Sequence, residues 1–125
     1  MNFKINFAIC IALSFTLLFI SCKSNKIDYE VTSQQIYKEF QDNEVAATAK
    51  YKDKKIRVTG TLISFDRILG TNYCYIGSPG DFIGEVSCAM SEEFSNQAGN
   101  YTKGQQMYIE GTCTGVSITG VVQLQ

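Results

Sequence analysis

Cysteine thiols are the most reactive side chains in this sequence, and they could act as nucleophiles, metal ligands or disulfide partners. Cys74, Cys88 and Cys113 lie in the part of the sequence that has the pattern of a folded domain. A catalytic thiol needs a nearby base, and the sequence contains no histidine, the commonest general base and metal ligand. The cysteines lack the spacing of zinc sites, and the acidic residues are scattered along the chain. We therefore predict no enzyme, no metal site and no cofactor.

The spacing of Cys74 and Cys88 is compatible with a disulfide bond across a β-hairpin. Both residues lie at the same distance in sequence from Asp81, within a predicted turn, so an antiparallel hairpin would place them opposite each other. An exported protein meets an oxidising environment, in which such a bond forms. Pairing of Cys88 with Cys113 is an alternative to this bond. A second alternative is that all three thiols are buried and unpaired.

Aromatic and basic side chains supply the candidate ligand contacts. Tyr73 and Tyr75 alternate along one predicted strand, and Phe82 lies near the start of the next. Aromatic rings at such positions can stack on a ligand. Lys52 and Arg57 belong to the basic cluster of the sequence and could contact phosphate, an acidic glycan or a lipid head group. Tyrosine and phenylalanine are also common in strands because of their β-propensity, and lysine is also common on solvated edge strands. Ligand contact and a purely structural role therefore both stay open for these residues.

The first 21 residues have the pattern of a secretion signal, with Lys4 as their only charge. Their apolar run, from Phe7 to Ile20, is short of the about 20 residues of a transmembrane helix. The segment LFISC that ends it, residues 18–22, resembles the lipobox of bacterial lipoproteins, with Phe19 where leucine is usual. The resemblance implies cleavage before Cys22 and attachment of fatty acids such as palmitate to that residue. An uncleaved anchor helix is the alternative.

Downstream of the signal, the sequence divides into a tether and one domain. Residues 22–30 are polar and lack periodicity, which is typical of a flexible link between a lipid anchor and a domain. Residues 31–125 suffice for a single domain with a modest core. Thr32 and Gln35 form a capping box that predicts a helix ending near Asn43. The alanine-rich residues 44–49 could add a second short helical turn.

From Lys55 onward the apolar residues alternate with a period of two, which predicts short strands. We expect five of them, at residues 55–65, 73–76, 82–90, 105–112 and 117–124, with a short helix or loop within 91–103. Gly60 is predicted to mark a bulge or a bend of the first strand. These elements predict a mainly β fold, a five-stranded OB-fold Greek-key barrel with an N-terminal helix and a short helix between strands three and four. A small β-sandwich has the same elements.

Two strand segments resemble those of a known family. AKYKDKKIRVTGTL, residues 49–62, and KGQQMYIEGTCTG, residues 103–115, look like the first and fourth strands of its domain. With an upstream helix and a valine-rich last strand in order, the chain resembles the tRNA-anticodon-binding-like OB-fold family of small bacterial lipoproteins. The resemblance covers about residues 30–124. It implies a fold and a location but no activity, because fold does not carry function.

Charge and location narrow the predicted function. The net formal charge is −1, and the absence of a basic excess argues against nucleic acid as the partner. We predict a non-enzymatic, membrane-anchored periplasmic module that binds a protein or an oligosaccharide. The alternatives are a single-stranded nucleic-acid-binding protein and a structural accessory of an envelope complex. Lys23, in place of aspartate after the lipidated cysteine, favours the outer over the inner membrane.

Overall fold

The computed structural model describes residues 26–117 and 119–125 of the chain. The signal sequence and Cys22 therefore lie outside the described residues. The described part contains, in order, β1 (Tyr29–Thr32), α1 (Ser33–Asp42), α2 (Glu44–Tyr51), β2 (Lys55–Ile68), β3 (Thr71–Gly77), β4 (Val86–Ala89), α3 (Glu92–Gln97), β5 (Gln106–Val116) and β6 (Val122–Leu124). A single 3₁₀ turn, Ala98–Asn100, follows α3. Across these two ranges, every helix is too short or too polar to cross a lipid bilayer.

Five of the strands close into a ring, in the neighbour order β2-β3-β4-β6-β5 and back to β2. The pair β4–β6 is parallel, and the other pairs of the ring are antiparallel. The 14 residues of β2 allow it to pair with β5 along its first half and with β3 along its second half. The prediction of a mainly β fold with a short helix before the fourth ring strand is confirmed.

The core forms where the alternating apolar side chains of the ring meet the two N-terminal helices. Ile36 and Phe40 of α1 and Tyr51 of α2 belong to one buried cluster with the strand residues. The Tyr51 ring contacts Phe40 and Tyr29, with ring centroids 6.1 and 5.1 Å apart. Each large apolar side chain buried in this way contributes about 1.5–3 kcal/mol. Packing on the ring of strands therefore fixes where α1 and α2 lie.

Side-chain caps define the helix boundaries. The backbone N–H of Gln35 donates to Oγ1 of Thr32 over 3.1 Å, which confirms the predicted start of α1. Asn43 ends α1 and also begins α2, because its Oδ1 accepts a hydrogen bond from the N–H of Ala46. Two consecutive helices therefore replace the one helix and one turn that the sequence predicts.

A sixth strand, β1, overturns the prediction of five. Tyr29 and Glu30, expected in the flexible tether, pair in parallel with Ile56 and Arg57 of β2. The N–H of Asp28 also donates to the carbonyl oxygen of Lys55 over 2.8 Å. Tyr29 to Thr32 alternate apolar and polar residues, but this pattern covers only four residues and the pairing partner lies far away in sequence.

Three further strand boundaries differ from the prediction. β4 begins at Val86 rather than residue 82, because Pro79 and Gly80 open a longer loop over residues 78–85. The β2–β3 connection is a two-residue turn, Leu69 and Gly70, both at positive φ, instead of a seven-residue loop. β5 continues to Val116, which shortens the last strand to Val122–Leu124.

Gly60 does not mark a bulge, and that part of the prediction is wrong. It pairs with Met107 in an unbroken register and has no positive φ. The irregularity of β2 lies further on, between Leu62 and Ser64. A Cβ at position 60 would lie 2.8 Å from Oγ of Ser33, the first residue of α1. Gly60 is therefore required by the close approach of a helix.

Candidate binding groove between α3 and β5

The two predicted ligand-contacting tyrosines lie side by side on the outer face of β3. Tyr73 and Tyr75 are half-buried, and their ring centroids are 6.5 Å apart. Burial raises the pKa of Tyr75, and nearby Asp66 raises it further. The loop over residues 78–85 passes close to Tyr75, since a Cβ on Gly84 would lie 3.2 Å from the Cβ of Tyr75. The predicted aromatic face therefore exists but is partly covered.

Phe82 was expected near the start of a strand, beside this tyrosine pair. It lies instead in the loop over residues 78–85, and 97% of its surface is exposed. Among the described residues, it takes part in none of the aromatic pairs. The structure therefore brings Tyr73 and Tyr75 together but leaves Phe82 apart from them.

The two basic candidates lie elsewhere. Lys52 follows the last turn of α2 and is exposed. Arg57 lies on β2, where its guanidinium bonds Glu30 of β1 over 2.7 Å and Glu110 of β5 over 2.6 Å. Because two carboxylates already hold it, Arg57 is a poor receptor for an anionic ligand. Its Cζ also lies 5.0 Å from the ring centroid of Tyr108, so it fixes that ring in place.

Cys74 and Cys88 pair directly across β3 and β4, as the symmetry about Asp81 predicted. Both thiols are free and buried, as is that of Cys113. Burial raises the pKa of Cys74 to about 12 and that of Cys88 to about 11, so both are neutral at physiological pH. The thiolate is the nucleophilic form, so this burial disfavours reaction of either thiol as a nucleophile. The disulfide between them stays a prediction.

A groove between α3 and β5 has a volume of about 660 Å³. One wall consists of Ser91, Glu93, Phe94, Gln97 and Tyr101. The other wall is a continuous run of β5 and the residue before it, 105–110. Ligand sites of small proteins commonly have volumes of about 300–1,000 Å³, so the groove has room for a ligand.

An aromatic cluster holds the helical wall in place. Phe65 of β2 packs edge-on against Phe94 and Tyr101, with centroid distances of 6.2 and 6.4 Å. Oγ of Ser91 caps α3 by accepting from the N–H of Phe94. The side-chain amide of Asn72 on β3 donates to Oγ of Ser95 over 3.1 Å. Contacts with two strands thus hold this short helix against the ring, and the groove is formed in advance.

The groove is lined by aromatic, amide and carboxylate side chains. Gln97 and Glu93 lie exposed on the helical wall, and Tyr108 and Glu110 lie on the strand wall. Of the described residues, neither lysine nor arginine lines it, although Arg57 contacts Tyr108 and Glu110 of the strand wall. From the sequence, the helical wall is expected only as a polar helix or loop. The signal available there was two aromatic residues, Phe94 and Tyr101, within an otherwise polar stretch.

Metal binding has no structural basis in the described ranges. Residues 26–117 and 119–125 bring no three His, Cys, Asp or Glu side chains together in a way that could hold an ion. The acidic residues of the groove, Glu93 and Glu110, lie on opposite walls. The side chains that line the groove offer apolar contact and hydrogen bonding.

Comparison with known proteins identifies relatives of the whole chain. A family model described as tRNA_anti-like matches residues 11–125. Nineteen chains of solved structures also match. One, from Klebsiella pneumoniae subsp. pneumoniae MGH 78578, is described as a "putative nucleic acid-binding lipoprotein". It is 18% identical with a TM-score of 0.60, and the match covers 77% of this chain and 86% of that chain. At this identity the likeness shows the fold alone. No curated protein sequence matches the chain.

Proposed function

The chain belongs to the tRNA_anti-like family, and on that basis we propose that it is a lipid-anchored binding module of the bacterial envelope. We place its ligand in the groove between α3 and β5. The observation that carries this proposal is a groove of about 660 Å³ whose helical wall is held in place by the cluster of Phe65, Phe94 and Tyr101. A preformed concave site of this kind binds without the cost of ordering its walls.

The fold that presents this site is, in our proposal, an OB-fold Greek-key barrel. The neighbour order β2-β3-β4-β6-β5 with closure of β5 on β2 supports it. So do the parallel pair β4–β6 and the helix between β4 and β5. β1 and the helices α1 and α2 are then additions in front of a five-stranded barrel.

The lipid anchor is the second part of the proposal. The signal pattern of residues 1–21 and the LFISC segment support fatty acylation of Cys22. The word lipoprotein in the description of the structural relative agrees with it. Residues 22–28 would then connect the acyl chains to β1. We propose that the anchored domain lies in the periplasm. Lys23 favours the outer membrane as the membrane that holds the anchor.

A protein or an oligosaccharide is the ligand class that the groove chemistry favours. Aromatic rings and side-chain amides recognise both, through stacking and through paired hydrogen bonds. Glu93, which pairs with no basic side chain among the described residues, disfavours a polyanion at the helical wall. We therefore propose recognition without catalysis, which agrees with the neutral, buried thiols of Cys74 and Cys88.

Single-stranded nucleic acid is the second candidate ligand. The observation that favours it is the description of the structural relative as a nucleic acid-binding lipoprotein. Nucleic-acid affinity depends on basic side chains that neutralise phosphates and falls steeply with salt. The lysines at positions 50, 52, 54 and 55 lie around the end of α2 and the start of β2, outside the groove, and would have to supply that contact.

Obstructing the groove is expected to abolish binding. Gln97 is exposed and lines the groove, so Gln97→Trp should fill it without disturbing the core. We expect at least about tenfold weaker binding, or about 1.4 kcal/mol. Fluorescence anisotropy of the full chain in detergent, with a labelled β-strand peptide, a chitin oligosaccharide and an oligothymidylate as probes, measures this effect.

Asn96→Trp is the matched control, because Asn96 is an exposed residue of α3 that does not line the groove. It should leave the affinity of the bound probe unchanged. If a probe binds both variants as tightly as the original chain, the ligand lies outside the groove. Binding of the oligothymidylate alone, with strong salt dependence, would decide for the second candidate.

A further inference from the structure

We propose that the ligand is an extended peptide segment of a partner protein, which adds a strand to the free edge of β5 within the groove. This inference rests on the proposed function and names its partner. The added strand would pair with the backbone of β5 over residues 106–110, which forms one wall of the groove. A strand edge that presents its N–H and C=O groups to an accessible groove is a template for strand addition.

The hydrogen-bonding pattern of β5 fixes which backbone groups face the groove. Leu62 N–H donates to the carbonyl oxygen of Gln105, and Cys113 N–H donates to that of Lys54, so odd-numbered residues of β5 face β2. Thr112 exchanges two hydrogen bonds with Gln125 on the opposite side, over 2.7 and 3.0 Å. The register between these points is unbroken. Gln106, Tyr108 and Glu110 therefore point their backbone groups away from β2.

This side of β5 has no strand partner over residues 106–110 in the described part of the chain. β6 pairs with β5 only from Cys113 to Val116, and the Thr112–Gln125 bonds end that ladder. The carbonyl oxygen of Glu110 has one weak contact, 3.9 Å from Sγ of Cys88. The N–H and C=O groups of Gln106 and Tyr108 have no backbone partner among the described residues.

The space beside this edge has the dimensions of one added strand. The five residues from Gln106 to Glu110 extend about 17 Å at about 3.4 Å per residue, which accommodates a segment of similar length. Ser91 and α3 form the opposite wall, so the added strand would lie between them and β5.

The side chains of the groove indicate what kind of segment fits. Phe94 and Tyr101 offer apolar contact to alternate side chains of the strand. Glu93 is exposed and has no ion-pair partner among the described residues, whereas Glu110 already pairs with Arg57. A segment that carries lysine or arginine beside alternating apolar residues would complement the Glu93 carboxylate.

Backbone pairing gives the proposal a specific test, because proline removes one N–H. The N–H of Tyr108 faces the groove, so Tyr108→Pro leaves the β2–β5 hydrogen bonds intact, as proline does on edge strands. Tyr108→Ala is the control, since it removes the same ring but keeps the N–H. The probe is a labelled peptide of alternating valine and threonine with lysine at both ends, titrated into the full chain.

We expect Tyr108→Pro to weaken peptide binding at least about tenfold more than Tyr108→Ala does. Residue-resolved hydrogen exchange of the original chain supplies a readout that needs no variant. Peptide binding should slow amide exchange at Gln106, Tyr108 and Glu110. The amides of Met107 and Ile109, which already face β2, should not change.

Three results would overturn the inference. Equal peptide affinity of the proline and alanine variants would show that the edge N–H is not used. Slow exchange at Tyr108 before peptide is added would show that the edge is already paired. The third result is that the peptide does not bind, while a chitin oligosaccharide or oligothymidylate binds and Gln97→Trp weakens that binding. It would disprove a peptide ligand but keep the groove as the binding site. If no probe binds, the proposed function fails as well.

Discussion

Gly60→Val is expected to lower the free energy of unfolding by about 2–3 kcal/mol, because it forces a side chain between β2 and α1. Even a single Cβ at position 60 would lie 2.8 Å from Oγ and 3.1 Å from Cβ of Ser33. The carbonyl oxygen of Gly77 on β3 would lie 3.3 Å away. Ser33 is buried at the start of α1 and cannot move aside without displacing the helix. Valine adds two methyl groups to this clash.

Urea denaturation followed by circular dichroism measures the effect. Gly99→Ala is the matched control, because a Cβ at position 99 meets nothing within 4 Å and Gly99 has no positive φ. It should change the free energy of unfolding by less than about 0.5 kcal/mol. An unchanged denaturation midpoint for Gly60→Val would mean that α1 does not pack against β2 as described.

Cys22→Ser is expected to abolish lipidation completely and to leave the precursor uncut. The reason is chemical, since the acylated atom of a lipobox is the cysteine sulfur and a serine hydroxyl does not replace it. Each buried CH₂ contributes about 0.8 kcal/mol to membrane affinity, so loss of several acyl chains removes a stable anchor. Metabolic labelling with an alkyne fatty acid, followed by gel electrophoresis, measures both incorporation and cleavage.

Cys10→Ser is the control for this experiment, because Cys10 lies within the apolar run of the signal. It should be labelled and processed like the original chain. A Cys22→Ser protein that still carries the label would disprove the lipobox assignment. An unlabelled, uncut original chain would favour the uncleaved anchor helix.

Local patterns predicted the elements that depend on neighbouring residues. The hydroxyl of Thr32 caps α1 as the capping box indicated. The symmetry about Asp81 placed Cys74 opposite Cys88 correctly, although the strand itself is shorter than expected. The predictions were wrong where contacts with residues distant in sequence determine the structure. β1 exists because β2 offers a parallel edge, and Gly60 is needed because α1 approaches it.

The candidate site was only partly accessible from the sequence. Tyr73 and Tyr75 were predicted as neighbours on one face, and they are. Phe82 was predicted near a strand, but the turn at Pro79 and Gly80 carries it onto an exposed loop. The groove could not be predicted, because its walls come from residues 91–101 and 105–110, and one wall is largely backbone. Sequence periodicity describes side chains and contains no information on which strand edge stays unpaired.

Photocrosslinking in intact cells tests most directly whether the groove holds the ligand of this protein. A slim, uncharged diazirine amino acid is placed at Glu93 on the groove wall, at Asn96 as the control on α3, or at Tyr75 on the rival aromatic face. We expect a light-dependent adduct from Glu93 and none from Asn96 or Tyr75. Adducts from Tyr75 with none from Glu93 would contradict this expectation.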